Sequence, residues 1–139
     1  MLRLRIELWS GVMSSIKFVA LFLIFFYFTL DALEFKSYEE AKVLQKDSKK
    51  LIMLEVMRSN CHYCSDMQRD VFDDEEMGKW INERFIPVKI NLDSDSPPLG
   101  IKVSFTPSFF FIDINDNIKK KIPGSWNIED FKSLTKDIK

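Results

Sequence analysis

From residue 33 onward, hydrophobic and polar positions switch between short apolar runs of strand length and stretches spaced for one-sided helices. Ser37-Tyr38-Glu39-Glu40 has the Ser-x-x-Glu form of a capping box. Ala41, Val43 and Leu44 follow before Lys49-Lys50, which predicts a helix over about 38–48. Residues 51–57 are apolar except for Glu55, and the length of the run favours a buried strand. Asn60 is then placed to cap a helix with Cys61, Cys64, Met67, Gln68 and Val71 along one side. Asp73 to Glu76 open a further helical stretch with Met77, Trp80, Ile81 and Phe85 on one face. That stretch is either separate or a continuation of the preceding helix after a kink.

Residues 86–92 read as a second strand, followed by the polar loop Asp93-Ser94-Asp95-Ser96-Pro97-Pro98. Residues 109–114 form a third, strongly apolar strand, and Asn115-Asp116-Asn117 turns it into a fourth over 118–122. Gly124 breaks the pattern, and a last helix over 127–138 turns Ile128, Phe131, Leu134 and Ile138 toward a core. The order helix, strand, helix, strand, strand, strand, helix suits an α/β fold: a three-layer sandwich with a central mixed four-stranded sheet.

The first 32 residues follow another pattern. Arg3, Arg5 and Lys17 lead into an uncharged run over 18–30, which marks an export or anchoring segment. A spanning helix needs about 20 apolar residues, so the shorter run favours a secretory signal peptide over a permanent anchor. Met13 is an alternative start, since Met13-Ser14-Ser15-Ile16-Lys17 already has signal proportions. Thr29-Leu30-Asp31-Ala32 lacks a clear small-x-small cleavage pattern, so a membrane tether through residues 16–32 stands as the alternative. Residues 33–139 are of ordinary single-domain size. The leader's net charge of +1 leaves this part near −2, with no basic field for nucleic acid. An extracytoplasmic, periplasmic address would also expose the cysteines to oxidising conditions.

The two cysteines of the chain stand in Cys61-His62-Tyr63-Cys64. Two thiols at that spacing can trade electrons as a disulfide. A structural zinc site would need more Cys or His ligands than the single histidine, His62, can supply, so no metal is expected. Covalent haem attachment would need His where Ser65 stands. A purely structural disulfide stays open, although staples usually close longer loops. At the amino end of a helix, Cys61 would meet free N–H groups that favour its thiolate, while Cys64, one turn further in, would resolve a mixed disulfide. Protonated His62 would stabilise the Cys61 thiolate if it turned toward the sulfur; otherwise it is a surface residue. Glu55 has two readings: a buried carboxyl under the pair that exchanges a proton with Cys64, or a solvent-facing or lysine-paired residue of an alternating strand. Thr106-Pro107 stands at the entrance of the third strand.

Taken together, Cys61-His62-Tyr63-Cys64, the acid six residues before it and Thr106-Pro107 after it resemble the thioredoxin superfamily. The resemblance covers residues 35–138 and is greatest to exported thioredoxin-like reductases: the sulfur-oxidation-associated thioredoxin, and the carboxy-terminal domain of the electron transporter that reduces periplasmic disulfides. It implies that Cys61 attacks, Cys64 resolves, Glu55 is the buried acid, Pro107 is cis, and the Thr106 backbone pairs with a substrate strand. Asn60 stands in place of the family's usual tryptophan, and Met57 where a second aromatic is frequent. The segment 93–103 is short where relatives tend to place a helix, and His62-Tyr63 differs from the Gly-Pro of general cytosolic thioredoxins.

The expected function is an exported thiol-disulfide oxidoreductase, mainly a reductase, taking electrons from a membrane thiol donor to a protein disulfide. No cofactor beyond the Cys61/Cys64 disulfide is expected. A dithiol oxidase tuned by His62, and a membrane-tethered binding module with the cysteines as a staple, are the alternatives.

Overall fold

The computed structural model describes residues 33–138, and the expected leader lies outside the described residues. Helix α1, Tyr38–Ser48, starts at the expected capping box: Ser37 accepts the Glu40 N–H, and the Glu40 carboxylate accepts the Ser37 N–H at 2.9 Å. Lys49, at φ 59°, ends it in the left-handed region. Strand β1, Leu51–Met57, follows directly. Helix α2, His62–Met67, runs into a π-helical turn, Gln68–Phe72. Asp74 then caps a separate helix α3, Glu75–Arg84, by accepting the Met77 N–H at 2.8 Å, which decides between a new helix and a kinked continuation.

Phe85 does not extend the helical face, as its spacing suggested. Its backbone is extended (φ −134°, ψ 166°) and opens strand β2, Phe85–Asn91, opposite Leu51. The ring nevertheless stays in the same core, edge-on to Trp80 and Phe111. Strand β3 spans Ser108–Ile112, shorter at its end than expected, because the Asp113 carboxylate accepts the N–H groups of Asn115 and Asn117 and starts the turn there. Ile114 is consequently exposed. Strand β4 is Ile118–Pro123 and helix α4 is Ile128–Thr135. Helix α4 is shorter than the expected 127–138: Asn127 is its cap, and Ile138 reaches the core from beyond its end.

The sheet order is β2-β1-β3-β4, with β1 and β2 parallel and the other neighbours antiparallel, so the sheet is mixed as expected. Side chains of β1 alternate between two cores. Ile52, Leu54 and Val56 pack with Ala41 of α1, Val88, Phe110 and Ile112 on one face. Leu51 and Met53 pack with Met67, Phe72, Met77, Phe109, Phe111 and Phe131 on the other, beneath the remaining helices. Both open edges are guarded. Lys36 makes a parallel bridge to Val88 outside β2, its N–H donating to the Pro87 carbonyl at 2.9 Å, and β4 exposes Lys119 and Lys121.

Candidate active site

Three pieces of chain meet at one end of the sheet: the turn leaving β1, the start of α2 and the entrance to β3. The turn is held from β2's side, where Asp93 accepts the Ser59 N–H at 2.8 Å and an Arg58 guanidinium N–H at 3.1 Å. These bonds hold the Asp93 carboxyl below its ordinary range. Because Ser59 and Asn60 form this turn, the helix cap falls on Cys61 instead of Asn60. Cys61 has extended backbone (φ −129°, ψ 100°), and its Sγ accepts the Cys64 N–H at 3.1 Å.

Cys61 and Cys64 form a disulfide with Cα atoms 5.2 Å apart. Cys61 is half-buried, whereas Cys64 is buried. An incoming sulfur therefore meets Cys61 first, which suits Cys61 to attack and Cys64 to resolve. The peptide bond Thr106–Pro107 is cis. Thr106 makes a contact that the sequence did not announce: its hydroxyl donates to Cys61 Sγ at 3.3 Å. The expectation for Thr106 concerned its backbone, and nothing in a Thr-Pro dipeptide says which way the hydroxyl turns.

The motif's middle residues point away from this junction. His62 is exposed, with Nε2 3.2 Å from the Asp66 carboxylate one helical turn on, and its ring meets Tyr63 edge-on at 5.6 Å. This geometry matches the surface-residue reading of His62, since the partner of its imidazole is a carboxylate and not the sulfur. Tyr63 is 63 % exposed, as is Phe105 at 57 % beside Thr106, so aromatic surface flanks the pair.

Glu55 lies on the face of β1 that carries Leu51 and Met53, the face covered by α2. It is 1 % exposed, which excludes the solvent-facing reading. Its carboxylate has Lys89 Nζ 3.3 Å from Oε2, directly across the β1–β2 register, so the residue is both buried and lysine-paired. Burial pushes the Glu55 carboxyl above its ordinary range, and the Lys89 charge opposes that shift without cancelling it. The short segment after β2, where relatives tend to place a helix, holds the 3₁₀ turn Pro98–Gly100.

Among known proteins, the sequence model of the thioredoxin-like domain family matches residues 38–139. A thioredoxin from Thermus thermophilus superposes with a TM-score of 0.65 at 22 % identity, covering 77 % of this chain and 87 % of that one. The oxidised DsbD carboxy-terminal domain of Neisseria meningitidis gives 0.58 at 14 %, covering 73 % and 91 %. Spermatogenesis-associated protein 20 of Mus musculus is 40 % identical over 53 residues, or 38 % of this chain. The matched stretch spans 7 % of the length of the curated relatives, the mouse protein and an uncharacterized Caenorhabditis elegans protein.

Proposed function

This chain belongs to the thioredoxin-like family, and since it closes Cys61 and Cys64 into a disulfide, we propose that it is a thiol-disulfide oxidoreductase that works mainly as an exported reductase. The observation that carries the proposal is the asymmetry of the pair: a half-buried Cys61 with two donors on its sulfur, a buried Cys64, and a buried acid on the sheet face below. In the reduced state the Cys61 thiolate attacks a substrate disulfide, forming a mixed disulfide and expelling one substrate thiolate. The Cys64 thiol gives its proton to the Glu55 carboxylate and attacks Cys61 Sγ. The Cys61–Cys64 disulfide forms, and the second substrate thiolate leaves and is protonated. Two electrons and the Cys64 proton pass to the substrate, solvent protonates the other released thiolate, and a membrane thiol donor returns the protein to its reduced state.

The client is a protein disulfide, held with its backbone along Thr106 and its flanking side chains near Tyr63 and Phe105. The charge pattern over 3–30 supports export to the periplasm, with residues 16–32 as a cleaved signal or a retained tether. Among the described residues no helix is long and apolar enough to cross a membrane. His62 meets the Asp66 carboxylate and not the sulfur, which supports the reductase reading over a dithiol oxidase.

Equilibrating the pair against glutathione tests the direction. A reductase poises well below the glutathione couple, and a pair reduced as easily as glutathione disulfide would overturn the reading. Insulin reduction should be lost in Cys61→Ser, and an inactive wild type would favour a binding module. In Glu55→Gln, the pH dependence of exchange should lose its carboxyl limb. An unchanged profile would remove Glu55 from the mechanism.

A further inference from the structure

The π-helical turn after α2 places one side chain where the mechanism has not yet used it. Gln68 Oε1 accepts from Lys89 Nζ at 2.5 Å, and Gln68 Nε2 donates to Asp73 Oδ1 at 2.7 Å. Lysine has only donors and a carboxylate only acceptors, so these two neighbours fix which end of the amide faces Lys89. The backbone ties the same residues together, since the Asp73 N–H donates to the Gln68 carbonyl at 2.8 Å across the i, i+5 step. Lys89 Nζ also sits 4.0 Å from the Phe35 ring centroid. Although Glu55 Oε2 is within ion-pair distance of Lys89, it receives no aligned hydrogen bond.

We infer that Gln68 is a positioning residue: it holds the Lys89 ammonium back from full hydrogen bonding with Glu55, and so sets how readily the buried acid takes and gives its proton. The proposal rests on the reading of Glu55 as the proton partner of Cys64. In the helical ladder of α2, an ordinary α-turn would rotate residues beyond 67 by the offset that the π-turn absorbs. The insertion keeps Val71 and Phe72 in the core while Gln68, half-buried, meets Lys89. Beside Glu55 in the sheet stand Lys89 from β2 and Phe109 from β3, and the helix over that face carries a cysteine pair that does not titrate as a disulfide. Burial raises the proton affinity of the Glu55 carboxyl and Lys89 lowers it, so a residue that competes for Lys89 favours the protonated form.

The test is a carbon-13 NMR titration of the Glu55 carboxyl in the full-length oxidised protein, where thiol ionisation is absent and the midpoint belongs to Glu55 and Lys89. Gln68→Leu should free Lys89 for Glu55 and lower the proton affinity of that carboxyl by at least about twofold. Asp73→Ala, which unlocks the amide without touching the helix interior, should shift it in the same direction by less. In a Lys89→Met background, Gln68→Leu should have no effect. A midpoint that stays put or rises in Gln68→Leu would overturn the proposal, as would an equal fall with and without Lys89. A shift as expected together with an unchanged exchange profile in Glu55→Gln would instead retain the Gln68 contact and discard the proton relay.

Discussion

At the scale of single residues, the site depends on contacts that reach one sulfur from two directions. The Cys64 N–H is fixed by the helix, but the Thr106 hydroxyl comes from the loop entering β3, 45 residues away, and can be removed without touching the backbone. Hydrogen bonds to a charged acceptor are worth about 1.5–3 kcal/mol, and part of that is recovered by the greater intrinsic nucleophilicity of a more basic thiol. Thr106→Val, nearly the same shape, should therefore slow alkylation of reduced Cys61 at neutral pH by about three- to tenfold. An unchanged alkylation rate would mean that the hydroxyl serves only the oxidised state. Glu55 was visible in the sequence because a charge inside an apolar run demands a partner. Lys89 was not, because nothing in residues 85–91 says which residue of β1 it will stand beside until the parallel register is known. Gln68 was visible only as a position on a helical face; its role depends on a π-turn that no spacing rule announces.

At the scale of elements, local signals marked starts better than ends. Ser37 was legible as a cap from its capping box, whereas Asn127, counted inside the expected helix, is itself the cap, and each accepts an N–H three residues on. Ser37→Ala and Asn127→Ala should each cost about 1 kcal/mol in urea unfolding. A loss below about 0.3 kcal/mol in either would mean that tertiary packing alone holds that helix. The ends were set by tertiary competition. Residue 85 carries a helix-face spacing, yet it pairs with Leu51 because the strand offers its backbone a ladder while the ring keeps the same neighbours. Asp113 cuts the third strand short of Ile114 through bonds that only the folded turn supplies. The cap of α2 passed from Asn60 to Cys61 for the same kind of reason, since Asp93 fixes the preceding turn from the loop after β2.

At the scale of the whole molecule, one buried carboxyl links stability to pH. Glu55 takes up its proton more readily folded than at its ordinary value of 4.5, so the folded state binds more protons than the unfolded one over that interval. Its contribution to stability therefore falls as pH rises from the ordinary value through the folded midpoint, and levels off above it. In the oxidised protein, the unfolding free energy of Glu55→Gln minus that of wild type should grow as pH rises above the ordinary carboxyl value of 4.5. A flat difference would show that Lys89 already compensates the burial. The order of elements and the sheet's mixed character were legible because each run had a length and a period. The three-layer arrangement follows from β1 sending alternate side chains into two cores. The edges carry a further consequence. A protein that receives other chains' extended backbones risks capturing its own copies the same way, and lateral stacking would then bury the very chemistry it offers. With Lys36 occupying the β2 flank and lysines lining β4, the proposed berth at Thr106 is left as the place for a visiting strand, beside a sulfur that can release it. Selectivity for disulfide-bearing clients would then begin with where a backbone can dock, before any sulfur reacts.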